Sequence, residues 1–307
     1  MANSLHVLCY HRVLADDGRH ENSPYFLRGT AVSQAVFRQH VRDLRERFEC
    51  LDETRALEAL KGAVRLPRPG CWITFDDAYV DVVDTVAPIL EEAGMPASVF
   101  VSTTAVDGTA LPADRWYATV NAAKRRRGTL VGPEPWHFDL DDPSCTYRFI
   151  DGPEKRKFLR STREQQEAAL LQLASALDAD STMPGDRLYL NATEIRDLVK
   201  RGWSVGSHTV SHSILVGLAE EQQRLELEAS RTRIDEILGD EPRTFAYPDG
   251  AWDEAAATQV REAGYAGAVT LVPAVARAGG SVFAIPRFLA RNDPDFIRTL
   301  VSSAEAS

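Results

Sequence analysis

CWITFDDAY, residues 71–79, decides how this chain folds. Its first five residues carry no charge and mix β-branched with aromatic side chains. That is the composition of a short strand buried on both faces of a parallel sheet. Two carboxylates, Asp76 and Asp77, follow where the strand runs out. In parallel α/β sheets ligands sit at the carboxyl ends of strands, so one string predicts both a sheet type and a place for chemistry. GWSVGSHTVSH, residues 202–212, has the same form: a short strand, then His208 and His212 spaced four apart. On a helix or a tight turn that spacing puts both imidazoles on one side.

Working outward, strand and helix signals alternate. LHVLCY (5–10) ends at His11, and ASVFVST (97–103), WSVGS (203–207), TFAYP (244–248), AGAVT (266–270) and SVFAIPR (281–287) read as further strands. Helical patterns cover 33–48 with Ser33 as cap, 81–95 closing at Gly94, 191–202, 219–238, 253–263 and 294–302. The alternation predicts a parallel sheet, open or closed into a barrel. Residues 105–190 break this rhythm. They hold a basic cluster (Lys124 to Arg127, read as a solvated helix face), Pro-punctuated loops and a charged helix near 154–178. Their length marks an insertion, a cap or lid, within a single domain spanning 1–307. The chain shows no internal repeat and no low-complexity segment.

The 307 residues are 44% hydrophobic and 26% charged, ordinary for a globular protein, and the net charge of −10 argues against a general nucleic-acid binder. MANSLHVLCYHRV has neither a basic leader nor a long apolar stretch, and no run approaches the roughly 18 apolar residues of a membrane span. The expectation is a cytoplasmic protein without membrane partners. Cys9, Cys50, Cys71 and Cys145 are scattered without a Cys-x-x-Cys, as free thiols would be.

One carboxylate and two neutral imidazoles make a three-ligand catalytic metal site with open positions. The second carboxylate is then available as a general base. Neighbours on an extended segment point in opposite directions, so Asp76 and Asp77 need not share a role. The ligand set suits Zn2+, with Co2+, Ni2+ and Mn2+ nearly as well. An Asp-Asp pair alone is commonly a helix cap, and a lone His-x-x-x-His is commonly surface or core. Their joint occurrence at strand ends is what singles them out.

TFDDAY (74–79) and SHTVSH (207–212) resemble the first two motifs of the polysaccharide deacetylase family, the NodB-homology domains of carbohydrate esterase family 4, and FAYPDG (245–250) resembles the third. The resemblance covers roughly residues 5–104 and 191–290. It implies a distorted (β/α)7-type barrel with a partly helical insertion, and metal-dependent hydrolysis of an N-acetyl group. It makes Asp76 the general base and Asp77, His208 and His212 the metal ligands. The FAYPDG loop, with Tyr247, Pro248 and Asp249, would donate a backbone amide to the oxyanion and line the substrate groove; Tyr247 and Trp252 are candidate walls for a sugar ring, although aromatics at strand ends are more often core. Three departures stand out: Ala78 replaces the usual glycine, Asp249 replaces a common aromatic, and no histidine follows His212. CYHRV (9–13) resembles the Tyr-His segment that opens circularly permuted members, which implies His11 as the acid protonating the leaving amine. Arg287 matches a late arginine of this subgroup and would orient Asp76 by a bidentate contact. Trp72 and Trp203 are assigned to the core.

These expectations describe a hydrolase removing an N-acetyl group from a small amino sugar, glycoside or sugar-containing metabolite, its oligomeric state open. The alternatives are hydrolysis of another non-peptide C–N bond on the same scaffold, or a non-catalytic carbohydrate-binding relative.

Overall fold

The computed structural model describes residues 4–17, 23–131, 135–241 and 243–305. Six short strands lie parallel in the larger of two units: Ser4–Tyr10 (β1), Gly70–Phe75 (β2), Ser98–Val101 (β3), Ser204–Ser207 (β4), Thr244–Ala246 (β5) and Gly267–Val269 (β6). Their spatial order is β6-β5-β4-β3-β2-β1, with the antiparallel pair Ala276–Arg277 beyond β1. Glu49–Cys50 also pairs with β2, and Phe288–Leu289 with β1. The result is an α/β fold with a curled, distorted-barrel sheet.

Side-chain alternation divides β1 and β2 between two cores. Leu8, Tyr10, Cys71, Ile73 and Phe75 pack outward with the helix residues Phe37, Val41, Val82 and Leu198. Leu5, Val7 and Trp72 pack inward with Phe100, Ala246, Val269 and Ile285. The inward series of β2 therefore runs Trp72, Thr74 and on to Asp76, a register that delivers a carboxylate to the barrel mouth. Trp72 stays satisfied inside because its Nε1 donates to Ser98 Oγ at 2.8 Å.

The helices start and stop for local reasons. Ser33 Oγ accepts the Val36 amide at 3.2 Å ahead of Gln34–Arg47. Asn191 and Glu194 form a capping box before Ala192–Lys200. The segment expected as one helix over 81–95 begins as a π-helical turn, Val82–Val86, and becomes α-helical over Ala87–Ala93 before Gly94 ends it at φ 66°. Pro88 lacks the N–H that a regular helix would need there, and the wide turn absorbs the defect.

SVFAIPR (281–287) is not a continuous strand. Ile285 bridges Val269 in parallel, and only Phe288–Leu289 then pairs with β1. Pro286 cannot donate to a ladder, so the chain makes two short attachments instead of one long one. The segment thereby spans from β6 to β1 and carries Arg287 inward between them.

Glu53, first residue of helix Glu53–Leu60, is buried and accepts the Thr244 amide of β5 at 3.0 Å. Burial pushes its carboxyl up to about 7, against 4.5 when unfolded, and the Thr244 hydrogen bonds offset only part of this. The folded state therefore binds the extra proton. Its contribution is complete below pH 4.5 and is lost as pH rises through 7. Glu53→Gln should be the more stable protein at pH 8 by up to about 3 kcal/mol and nearly equal at pH 4. Urea unfolding of both proteins across that range tests this; parallel curves would refute it.

The second unit comprises Thr109–Leu188 with Asn22–Arg28. Residues 105–108 and 189–190, expected in the insertion, belong to the first. The unit holds helices Pro112–Asn121, Pro143–Asp151, Pro153–Leu159 and Arg163–Leu177 and an antiparallel hairpin, Arg127–Leu130 with Trp136–Asp139. The charged helix expected near 154–178 is two helices, divided where Thr162 and Gln165 form a capping box. Lys124–Arg127 is not a helix face. The Leu177 carbonyl accepts the Lys124 and Arg125 amides, which holds the chain extended into the hairpin. Lys124 pairs with Asp180, Arg126 with Asp141 and Arg127 with Asp139, while Arg125 donates to the Ser175 and Ala176 carbonyls. No helix among the described residues is long and apolar enough to cross a membrane.

Candidate active site and metal centre

Asp76 still belongs to the sheet, its amide donating to Tyr10 O at 2.9 Å. Asp77 and Ala78 then take left-handed conformations, φ 71° and 58°. The carboxylates are thus separated by this turn and not by the strand alternation expected from sequence. Left-handed non-glycine residues cost about 1–2 kcal/mol each, and Ala78 has no polar side chain to compensate. The turn is held from outside: Leu190 N donates to Ala78 O at 2.8 Å. Asp81 accepts Arg12 Nη2 at 2.9 Å and the Val13 amide at 2.7 Å.

His208 follows β4 directly, its amide bonded to Val101 O. Its Nδ1 must donate to the Ala246 carbonyl at 2.7 Å, since a carbonyl can only accept. That fixes the tautomer and leaves the Nε2 lone pair free to ligate. Burial pushes this imidazole down to about 4, so it is neutral near pH 7 as a ligand must be. Thr209 (φ 67°) and His212 (φ 58°) bend the chain back, so the pair sits on a tight turn with ring centroids 4.8 Å apart.

Asp77 Oδ1 lies 3.6 Å from His208 Nε2 and 3.3 Å from His212 Nε2. It is buried and has no hydrogen-bond partner among the described residues. A buried carboxylate oxygen left orphaned beside two imidazole nitrogens is costly unless a cation completes it. Ligands at about 2.0–2.2 Å in tetrahedral array stand roughly 3.3–3.5 Å apart. Both distances from Asp77 Oδ1 are close to that spacing, and the three donor atoms lie within 4.8 Å of one another. His212 is partly exposed, and from that side a further ligand can enter.

Asp76 faces elsewhere. Arg287, wholly buried, grips it with Nη1 on Oδ1 and Nη2 on Oδ2, both at 2.7 Å. Arg287 is itself fixed by Thr270 O at 2.9 Å and Thr74 Oγ1 at 3.0 Å. Burial alone would raise the Asp76 carboxyl; Arg287, then His208, outweigh it and hold the group well below the usual carboxylate range. Cys9 Sγ donates to Asp76 Oδ2 at 3.4 Å, and His11 Nδ1 lies 3.9 Å from that sulfur. Cys9, His11 and Asp76 form a second cluster of metal-ligand types. With both Asp76 oxygens already neutralised by Arg287, it offers no charge to a cation. Cys9 and Arg12 carry no local sign of the site; the pairing of β1 with β2 brings them there.

The FAYPDG loop departs from expectation. Tyr247 is fully buried against Phe245 and Tyr265, and its hydroxyl donates to Phe283 O at 2.9 Å. It is core, not groove wall. Its amide donates to Val269 O, and the amides of Gly250 and Ala251 to Tyr247 O and Pro248 O. Pro248 is buried and has no N–H, so neither Tyr247 nor Pro248 can supply an oxyanion donor. Trp252 packs on the same core cluster, half-buried, and Asp249 is exposed at the loop tip with φ 57°. Sequence alternation alone cannot tell a strand-end aromatic that turns inward from one that lines a cleft.

A curled parallel sheet carries at its carboxyl edge a carboxylate–imidazole trio that could hold a metal ion and a second, arginine-held carboxylate. Residues 63–130 and 154–268 match the polysaccharide deacetylase family model, and the chain belongs to that family. It is 27% identical over 103 residues to YxkH of Bacillus subtilis (strain 168), a protein assigned to the polysaccharide deacetylases; the match covers 34% of this chain and 37% of YxkH. The chain thus spans little more than a third of that relative. In fold it is similar to the Streptococcus pyogenes deacetylase PplD, solved with acetate (TM-score 0.67, 16% identity, 98% of each chain). It is likewise similar to IcaB of Ammonifex degensii (TM-score 0.60, 21% identity, 99% of this chain and 98% of that one). A de-N-acetylase of Aggregatibacter actinomycetemcomitans has TM-score 0.63 at 15% identity over 95% of this chain and 96% of that one.

Proposed function

We propose that this chain is a metal-dependent hydrolase that removes the N-acetyl group from an amino sugar or sugar-containing metabolite. The observation that carries this reading is the convergence of Asp77 Oδ1 with the Nε2 atoms of His208 and His212, beside the Asp76–Arg287 pair. Membership of the polysaccharide deacetylase family supports it. So does the acetate bound to PplD, since acetate is the acid that N-deacetylation releases.

Asp77, His208 and His212 would hold the ion, zinc before cobalt, nickel or manganese. Once bound, it supplies Lewis-acid polarisation of the amide carbonyl and a water of lowered pKa. Asp76, ionised throughout the working pH range, accepts the proton of the attacking water while Arg287 keeps both its oxygens in place. His11, partly buried beside Asp76, gives a proton to the departing nitrogen, which leaves poorly as an amide anion.

His11→Ala should lower turnover by about 10²–10⁴-fold while metal content stays at wild-type level, because His11 is outside the ligand trio. Undiminished turnover would remove it from the acid role. The reaction itself is tested by loading the protein with each of the four metals and offering a panel of N-acetylated sugars and glycosides. Acetate and free amine should appear in equal amounts. Amine without acetate would mean a different C–N bond, and no product from any metal or substrate would defeat the proposal.

A further inference from the structure

A carboxylate outside the metal trio holds the turn that sets the distance between the two imidazoles. Thr209 and His212 are both left-handed and neither is glycine, so the turn needs outside support to persist. Glu226, on the long helix Glu220–Leu238, supplies it. Its Oε2 accepts the consecutive amides of Val210 at 2.8 Å and Ser211 at 3.1 Å. Its Oε1 accepts the hydroxyls of Ser211 at 2.7 Å and Ser213 at 3.1 Å. An ionised carboxylate has about four acceptor sites, and these four bonds, all to the segment between and just after the histidines, fill them. Bonds to an ionised acceptor are about twice as strong as neutral ones. On the opposite side, the Thr103 and Thr104 amides donate to the Thr209 and Val210 carbonyls. The turn is clamped from both directions, and Glu226 is the charged half of the clamp.

We propose that Glu226 is a positioning residue for the metal centre. It fixes residues 209–213 so that His208 and His212 present their Nε2 atoms to one point beside Asp77. Its loss lowers metal affinity without removing a ligand. This rests on the reading of Asp77, His208 and His212 as metal ligands. Glutamine has the same shape: its carbonyl oxygen can take the two amides and its NH2 can donate to the two hydroxyl oxygens. Glu226→Gln is therefore the conservative rescue, and Glu226→Ala the removal.

The test measures zinc affinity by competition with a chromophoric chelator, and the visible spectrum of the cobalt-substituted protein. Glu226→Ala should keep its circular dichroism, bind zinc about 10–100-fold more weakly and show a changed cobalt spectrum, whereas Glu226→Gln should stay within about tenfold of wild type. Should Glu226→Ala fail to fold, the double variant Ser211→Ala/Ser213→Ala removes two of the four bonds and should show a smaller loss in the same direction. A folded Glu226→Ala that binds zinc within about twofold of wild type with an unaltered cobalt spectrum overturns the proposal. Equal losses in the Ala and Gln variants also overturn it. A wild-type chain that takes up no zinc overturns the metal reading itself, and this one with it.

Discussion

Asp77→Ala is expected to abolish stoichiometric zinc binding and, with it, turnover. Asp77 supplies the one carboxylate of the trio, and its Oδ1 faces both imidazoles within 3.6 Å. Without it the site has two neutral ligands and no charge to balance the ion. A bound ion contributes several kcal/mol of transition-state stabilisation, which at about 1.4 kcal/mol per decade corresponds to a rate loss on the order of 10³ or more. Alanine also fits the left-handed φ of 71° less well than an aspartate does. Asp77→Asn is therefore the companion: it tolerates the turn, keeps the shape and loses the charge, and it should fold as wild type while holding metal poorly. Metal analysis after gel filtration and an acetate-release assay read both. One zinc per chain and full turnover in Asp77→Ala would sink the assignment.

Arg287→Met should destabilise the protein by about 3–5 kcal/mol, because it strands the wholly buried Asp76 carboxylate without its compensating charge. Two 2.7 Å hydrogen bonds and the compensating charge disappear together. Asp76→Asn alone leaves the reverse fault, a buried guanidinium facing a neutral amide. The double variant Asp76→Asn/Arg287→Met removes both charges and should recover part of the loss, so the effects should be non-additive by about 1–3 kcal/mol in denaturant unfolding. Zinc content should survive in all three proteins, since neither residue belongs to the trio, while turnover falls in each. Additive stabilities would show that the pair is not a coupled unit; loss of zinc would show that Asp76 and Asp77 do not divide their roles as argued.

The parts of the site that were legible in the sequence share a local signal. Asp76, Asp77, His208 and His212 each follow a short apolar strand, and strand ends in a parallel sheet define one edge. Arg287 was readable only through family resemblance, and the bidentate contact that gives it meaning joins residues 211 positions apart. Glu226 gave no sign: it is one of several glutamates on a long polar helix, and its four bonds depend on which face of that helix meets the histidine turn. Tyr247 was ambiguous for the converse reason, because an aromatic after a strand has the same sequence pattern whether it turns into the core or toward a cleft.

The sequence by itself determined the periodicities and the caps: which segments become parallel strands, where most helices begin, and therefore that carboxylates and imidazoles would gather at one edge. These follow from short-range physics, the two-residue repeat of a strand and the hydrogen-bond needs of helix ends. Tertiary structure alone decided how the site is arranged. The left-handed turn at Asp77 and Ala78, the inward register that delivers Asp76 to Arg287, and the closure from β6 to β1 through Ile285 and Phe288 all depend on contacts between distant segments. Strain and burial at those points are tolerable only because other parts of the chain supply the missing partners, and no local pattern records which partner that will be.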